Sequence, residues 1–428
     1  MGGNVTAVAV VLAGGRGTRS ADPSRAKLAQ EVGGASLMAW HLRLLGSSEI
    51  TEALVVAGHL GDQVQALCDE LEHEGITVRV VHEERQEGTV AALRLAAAHT
   101  DSDEFLVVLG DILMSFPVQH FLDDWRASGA AVAVAVHPST HPEDSDAAFP
   151  SHDGTVLVVP KSENRDHVPN MSSTGLFAIT RQGLADYAAW RDVGSDVLPA
   201  AAARADLFAF VSSHYFKDTG TPARLEAAGA DVASGAFVRR GSLEARPALF
   251  LDRDGVINPT EPEFYTPDHY VLLPGVANAI GTANRAGIPV IVVTNQPALA
   301  KGLMTFDDHQ RIRARMDRLL GAEGAFVDDY LFCPHHPEGG WVGEVAELKV
   351  PCECRKPGID LARQAARRHH MDLTRSIMVG DTDRDRGFAR GAGMRFIHVS
   401  APHGDVDAED CLPEAADAIR TGIEALAC

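Results

Sequence analysis

Two carboxylates one residue apart, Asp252 and Asp254 in the string FLDRDGVIN, directly follow an apolar run that reads as a buried strand. Side chains alternate along a strand, so residues at this spacing face one crevice at its carboxyl end, where open α/β sheets bind ligands. Cleaving a phosphomonoester without a strong external nucleophile takes a carboxylate to attack phosphorus, an acid to protonate the leaving alkoxide and a cation to neutralise the oxygens. Asp252 can attack and Asp254 can serve as the acid/base. Further on, Thr294 ends the run PVIVV and can donate its hydroxyl to a phosphoryl group, Lys356 supplies a cation, and Asp381 ends SIMVG with Asp385 close behind. A strand-terminal Thr or Asp alone is more often a helix cap. Four strand ends carrying these types in this order are a much stronger signal.

A second constellation lies between Thr294 and Asp381. Cys333 and His335 in CPHHP, with Cys352 and Cys354 in CECRKPG, form two close ligand pairs bracketing a loop. Soft thiolates with one imidazole suit tetrahedral zinc. His336 rivals His335 as the ligand, and spacing does not separate them. The remaining cysteines, Cys68, Cys411 and Cys428, are scattered, and such clustering in a cytosolic chain points to metal ligation more than to disulfides.

The third constellation is near the start. VLAGGRGTR follows another buried run, with Gly14, Gly15, Arg16, Gly17, Thr18 and Arg19 in sequence. Glycines let the backbone approach a pyrophosphate, exposed amides bind its oxygens, and Arg16 and Arg19 can neutralise charge. The GxGxxG dinucleotide fingerprint is not met.

These groups need scaffolds to hold them. Apolar runs at Val5 to Leu12, Ala53 to Val56, Thr77 to Val81, Phe105 to Leu109 and Ala131 to Val136 alternate with helical stretches such as Ser36 to Leu45 and Thr89 to His99. That alternation predicts a parallel, doubly wound sheet. Residues Pro138 to Pro150, rich in His, Pro, Asp and Ser, read as a loop, and Pro222 to Val232 as a last helix. After a basic stretch a new alternation begins, with strands at Ala248 to Leu251, Pro289 to Val293, Ser376 to Val379 and Arg395 to Val399, and helices at Phe306 to Leu320 and Asp360 to His369. The expected organisation is two α/β, doubly wound domains over residues 1–236 and 248–428, joined by a linker at 237–247. A chain of 428 residues is too long for one ordinary core. With 38 basic against 59 acidic residues, the formal charge of -21 opposes general attraction to nucleic acid or an anionic membrane. Residues 1–12 lack the charged start of a signal peptide and are too short to span a bilayer, so a cytoplasmic location is expected.

The C-terminal motifs, DxDG, a strand-terminal Thr, a Lys and GDxxxD in that order, resemble the haloacid dehalogenase-like phosphatase superfamily. More narrowly, the Cys/His loop and TNQ at Thr294 to Gln296 resemble the D-glycero-D-manno-heptose 1,7-bisphosphate 7-phosphatases and the related histidinol-phosphate phosphatases. That resemblance implies a cap-less, Rossmannoid domain with a structural zinc loop, and Mg²⁺ held by Asp252, the backbone carbonyl of Asp254 and Asp381. It also implies phosphate contacts from Thr294, Asn295 and Lys356, and substrate reading by Arg355. Pro297-Ala298 and Lys301 depart from the usual Ser-Gly and Arg.

The N-terminal pattern, two glycines, an arginine and GTR with Lys27 downstream, resembles the sugar-1-phosphate nucleotidyltransferase family, the D-glycero-α-D-manno-heptose 1-phosphate guanylyltransferases among them. A Rossmann-like (GT-A-like) domain is implied. By position, Gly88 and Thr89 lie near the nucleobase and ribose, Arg19 and Lys27 on the triphosphate, and Lys161 and Gly175 at the sugar phosphate. Asp111 in LGD and Asp218 in DTGTP would hold Mg²⁺. In such chemistry a sugar 1-phosphate oxygen attacks the α-phosphorus in line and pyrophosphate leaves, so cations on both phosphates stabilise the developing charge. Ser20-Ala21-Asp22, Arg25-Ala26 and Ala91 depart from the pattern.

Joined, the two resemblances describe consecutive steps. Removing the 7-phosphate from heptose 1,7-bisphosphate leaves a heptose 1-phosphate that a nucleotidyltransferase can activate, with GTP the expected donor and GDP-D-glycero-α-D-manno-heptose the expected product. The rival is a histidinol-phosphate or other sugar-phosphate phosphatase carrying a catalytically silent, nucleotide-sugar-sensing N-terminal half.

Overall fold

The computed structural model describes residues 6–15, 22, 24–71, 75–139, 145–161, 165, 167–260, 266–399 and 414–427. Val8–Leu12, four of its five residues buried, is an interior strand of a nine-stranded sheet. It pairs in parallel with Glu52–Ala57 on one side and Glu104–Leu109 on the other, and Thr77–His82 continues the first side. Chain order therefore reverses beside Val8–Leu12, opening a crevice at its carboxyl end.

Beyond Glu104–Leu109 the sheet departs from the expected all-parallel form. Ser172–Thr180 runs antiparallel to both Glu104–Leu109 and Val132–His137, and Leu207–Val211 returns parallel to Val132–His137. The hairpin Ala147–Pro150 with Val156–Val159 pairs at the start of Ser172–Thr180. The expected loop at 138–150 thus ends in a strand, because Ala147, Ala148 and Phe149 find an apolar face to cover. A separate antiparallel ribbon of Ile112–Ser115 and Tyr215–Asp218 sets Asp218 opposite Ile112. Helix starts follow local chemistry. Ser36 Oγ accepts from Ala39 N (3.2 Å) ahead of Leu37–Gly46, and Thr221 caps Pro222–Ala233, where proline takes the first turn.

The second sheet has five strands, all parallel, in the order Asp329–Cys333, Val290–Asn295, Leu249–Leu251, Ile377–Gly380, Arg395–His398. One apolar layer beneath Val276–Ala286 and Ala415–Ala427 and another beneath Asp360–His369 and Asp383–Ala392 cover its two faces. Asp329–Cys333 was not foreseen, since its sequence, DYLFC, opens on an aspartate and is short. The reversal of order now falls between Leu249–Leu251 and Ile377–Gly380, the strands whose ends carry Asp252 and Asp381.

Residues 237–247, the expected linker, begin within the helix Ala236–Gly241. The helix Ala236–Gly241 packs Phe237 edge-on against Trp40 (4.9 Å between ring centroids) and Tyr215 (5.0 Å). Arg240 is ion-paired with Asp328, and buried Arg246 donates to Ser213 Oγ (2.9 Å). Among the described residues no helix is long and apolar enough to cross a membrane.

Candidate active sites

At the C-terminal crevice, carboxylate oxygens of Asp252, Asp381 and Asp385 lie within 4.8 Å of one another. Three anions this close need cations. Lys356 Nζ, almost fully buried, contacts Asp252 Oδ2 (2.9 Å) and Asp385 Oδ1 (2.5 Å), and donates to the Val293 carbonyl (2.9 Å). Burial lowers its pKa, but Asp252 and Asp385 outweigh this and hold it above the usual lysine range. Burial, then Asp385, pushes Asp252 up to about 8, and the same two causes push Asp381 up to about 6. Burial acts the same way on Asp385, but its contacts with Lys356 outweigh this and lower its pKa. Asp381 Oδ1 is buried without a hydrogen-bond partner among the described residues, and Gly255, at φ +82°, lies so close to Asp381 that any side chain there would collide with it. Hard oxygen ligands around an unpartnered buried carboxylate atom fit Mg²⁺.

The Asp254 carboxylate stands apart from this group and is fixed by four donors. Its Oδ1 accepts from Arg253 Nε (2.9 Å) and Asn258 Nδ2 (3.0 Å), and its Oδ2 from Arg253 Nη2 (3.1 Å) and Gln296 Nε2 (2.9 Å). Gln296 Nε2 also donates to Thr294 Oγ1 (2.9 Å), so one amide ties the two strand ends together. Arg253 is itself almost fully buried and donates to Tyr330 OH (3.1 Å). Asn295 brackets the lysine's backbone, donating to Lys356 O (3.1 Å) and accepting from Lys356 N (2.9 Å).

The Cys/His loop abuts that lysine. Cys333 Sγ lies 3.6 Å from Cys352 Sγ and 3.2 Å from Cys354 Sγ, which is 3.3 Å from Cys352 Sγ. His335 Nδ1 is 3.3 Å from Cys354 Sγ. A tetrahedral zinc with its usual bond lengths sets ligand atoms about 3.5 to 3.8 Å apart; the 3.6 Å pair meets this and the three shorter contacts lie within about 0.3 Å of it, so these four groups suit the ion. The ambiguity over histidine resolves toward His335: His336 Nδ1 contacts the backbone of Glu338 and its ring packs edge-on against Trp341 (5.0 Å). Arg355 Nη1 donates to the His335 carbonyl (3.2 Å), bracing the loop from its other arm.

In the N-terminal crevice, Lys27 Nζ contacts Asp111 Oδ2 (2.7 Å) and lies over Gly15, where a Cβ would sit 3.4 Å from it. Asp218 comes from the ribbon. Its Oδ2 pairs with Arg224 Nη1 (2.5 Å) and its Oδ1 accepts from Gly220 N (2.6 Å). Thr219 N and Oγ1 both donate to the Asp111 carbonyl (2.8 Å each), and Gly220 borders both carboxylates. The Gly14 carbonyl accepts from Gln86 Nε2. Gly88, at φ +111°, starts the helix Thr89–Ala97. Thr89 Oγ1 is turned to Asp192 Oδ2 (3.1 Å) and Val193 N (2.8 Å), so in this arrangement it fastens that helix to residues 192–193.

The chain's similarities fall into the same two halves. A family model for the MobA-like NTP transferase domain matches residues 9–196, and one for HAD-hydrolase-like proteins matches residues 353–425. A D-glycero-beta-D-manno-heptose-1,7-bisphosphate 7-phosphatase from Rhodopseudomonas palustris is 38% identical over 173 residues, which span 40% of this chain and 94% of the relative. Through its C-terminal half the chain belongs to the heptose-1,7-bisphosphate 7-phosphatase family. This HAD-like phosphatase is fused to a nucleotidyltransferase domain. Solved structures resemble each half. D,D-heptose 1.7-bisphosphate phosphatase from B. bronchiseptica, complexed with magnesium and phosphate, is 31% identical over 42% of this chain and 98% of its own (TM-score 0.36). HddC from Yersinia pseudotuberculosis, complexed with GMP-PN, is 18% identical over 53% of this chain and 99% of its own (TM-score 0.44).

In the phosphatase half the fold gathers Asp252, Asp254, Thr294, Asn295, Lys356 and Asp381 at one crevice, with Cys333, His335, Cys352 and Cys354 next to it. Sequence reasoning gave no role to Asp385, Arg253 or Gln296. Asp385 had a legible signal: it follows Thr382 by three residues, as a capping box requires, and that box is formed, aiming the carboxylate back at the strand end. In the nucleotidyltransferase half Lys27, Asp111, Asp218, Gly14 and Gly15 converge. Arg16, Gly17, Thr18 and Arg19 lie outside the described residues. Lys161 is exposed, its backbone N held by Asp146 Oδ1 (2.9 Å), and Gly175 adopts φ +81° beside Leu109 and Ile112.

Proposed function

We propose that the phosphatase half removes the 7-phosphate of D-glycero-D-manno-heptose 1,7-bisphosphate and that the nucleotidyltransferase half transfers GMP from GTP to the resulting heptose 1-phosphate, releasing pyrophosphate. The observation that carries this reading is the presence, in one chain, of a match to the heptose-bisphosphate phosphatases over most of their length and a nucleotidyltransferase domain able to take such a phosphatase's product.

In the phosphatase half, Asp252 attacks phosphorus and displaces the sugar alkoxide, which takes a proton from Asp254. Water, giving a proton back to Asp254, then releases phosphate from Asp252. Asp381 and Asp385, with Asp252 and the Asp254 backbone carbonyl, would hold Mg²⁺, which supplies charge neutralisation to the phosphoryl oxygens. Lys356, Thr294 and Asn295 orient those oxygens. The Cys333, His335, Cys352 and Cys354 set would hold zinc as a structural clasp for the segment that ends in Lys356. In the other half, Lys27 holds the triphosphate in line, and Asp111 and Asp218 would hold Mg²⁺.

Supplying the purified chain with heptose 1,7-bisphosphate, Mg²⁺ and GTP, ATP, CTP or UTP in parallel tests both halves. Phosphate release followed by pyrophosphate and a GDP-heptose, with GTP preferred, is expected. No phosphate release from the bisphosphate rejects the first half; pyrophosphate with none of the four nucleotides rejects the second.

A further inference from the structure

The junction between the two halves forms a cleft of about 460 Å³, open to solvent on one side and of a volume typical of small-molecule sites. Its nucleotidyltransferase wall includes Asp218 and Arg224, and, at the start of the strand leading to Gly175, Ser172. Its other wall comes from the phosphatase half: Asn284 and Arg285 at the end of Val276–Ala286, and Phe326. Arg240, from the segment joining the halves, lies between them with its guanidinium over the Phe326 ring (4.9 Å).

Three features of this cleft call for a polar ligand. Ser172, only 2% exposed, has a buried hydroxyl with no hydrogen-bond partner among the described residues. Arg240 directs one terminal nitrogen to Asp328 but leaves the other, also buried, without a partner. Buried polar groups of this kind ordinarily find partners, and leaving them without one is costly. The charges also leave a remainder. Arg224 is paired with Asp218, Lys217 with Asp231 and Arg240 with Asp328, whereas Arg285 meets no carboxylate among the described residues; its guanidinium donates to Thr282 Oγ1 (3.0 Å). Asn284 clamps the backbone of Phe326 from both sides, donating to its carbonyl and accepting from its amide (3.0 Å each), so that wall is rigid.

We propose that this cleft receives the sugar phosphate acceptor of nucleotidyl transfer, so that two residues of the phosphatase half, Arg285 and Phe326, help to select it. This rests on the nucleotidyltransferase reading given above. Asp218 at the rim sets the transfer chemistry beside the cleft, Ser172 and Arg240 offer hydrogen bonds to sugar hydroxyls, and Arg285 supplies the uncompensated positive charge. The acceptor site is then complete only when both halves are present in one chain.

The test uses the full chain in two assays: steady-state transfer with varied sugar 1-phosphate, and calorimetric titration of the same sugar 1-phosphate without nucleotide. The heptose 1-phosphate is generated enzymatically and purified beforehand. Arg285→Ala, at an exposed position, is expected to raise the acceptor KM and weaken its binding about ten-fold, the value of one charged hydrogen bond, with Arg285→Lys recovering part of the loss. The KM for nucleotide and the phosphatase kcat/KM stay within about two-fold, which a merely structural defect would not produce. Acceptor KM and binding unchanged in both Arg285→Ala and Phe326→Leu overturn the proposal. Should the unaltered chain transfer no nucleotide, the parent reading fails, and the calorimetric comparison still decides this one.

Discussion

Magnesium binding at the phosphatase crevice should depend steeply on pH, with a size set by two aspartates. In the metal-free protein Asp252 is pushed up to about 8 by burial and Asp385, and Asp381 up to about 6 by burial and Asp385. A cation binds their ionised forms, so each must release its proton first, and affinity rises with pH through the window these two values define. At pH 6 a group titrating near 8 is protonated in about 99 of 100 molecules and at pH 8 in about half, a change of about 50-fold in competition with the metal. Asp381 adds about two-fold over the same interval, giving about 100-fold tighter binding at pH 8 than at pH 6. Titration of Mg²⁺ by calorimetry at several pH values measures the affinity. Repeating it at pH 7 in buffers of different ionisation enthalpy counts the protons, of which about one should be released per ion. Asp252→Asn should reduce the pH effect to about two-fold, since only Asp381 then titrates in the window. An affinity that is flat from pH 6 to 8, or binding without proton release, would refute the claim that these carboxylates are the ion's ligands.

Cutting the clasp should loosen the lysine. Cys354→Ser is expected to lower bound zinc, read by metal analysis, and to slow phosphate release about 10- to 100-fold while pyrophosphate release is unaffected. Arg253→Met removes two of the four donors on Asp254 and should reduce the phosphatase kcat about 100-fold, the scale of general acid–base catalysis, with little change in KM. Lys356→Met leaves Asp252 and Asp385 buried without their cation, so thermal denaturation should show a loss of about 3 to 5 kcal/mol and phosphate release should be abolished. Asp111→Asn should reduce pyrophosphate release about 1,000-fold and leave phosphate release as it was, because the two crevices lie in separate sheets.

What could be read in advance follows the kind of signal each element carries. Buried parallel strands are continuous apolar runs, so Val8–Leu12, Glu104–Leu109, Leu249–Leu251 and Ile377–Gly380 were visible, and with them the placement of Asp252, Asp381 and Asp111 at strand ends. The reversal at Ser172–Thr180 was not, because an apolar run has the same composition in either direction. Direction is set by the length and path of the connection, and the hairpin at 147–159 lay partly in a segment whose His, Pro and Asp content masked it. The ribbon that carries Asp218 was missed for a related reason. Its partner, Ile112–Ser115, is separated from the strand Glu104–Leu109 by only Gly110 and Asp111, too short a break to mark a new strand after the run that ends at Leu109. Arg253 shows a different limit. A charged side chain between two aspartates reads as solvated, and only the fold reveals that Tyr330, Gln296 and Asp254 surround it.

Both crevices solve the same electrostatic problem in the same way. In each, a lysine from outside the carboxylate-bearing strands is held directly on the aspartate expected to bind metal: Lys356 on Asp252 (2.9 Å), Lys27 on Asp111 (2.7 Å). An ammonium has three protons and a phosphoryl group prefers several donors, so these pairs are exchange points. With a divalent cation on the carboxylate, Lys356 and Lys27 would be free to turn their ammonium groups to a phosphate ester, and the net charge in each crevice would change little. The cost of assembling several anions at a strand end is thereby met before substrate arrives, by a cation already covalently part of the chain. Substituting either lysine by glutamine should therefore weaken the phosphate ester more than the metal, whereas substituting either aspartate by asparagine should do the reverse. Equal losses of metal and ester binding in all four variants would show that the lysines only hold the fold together.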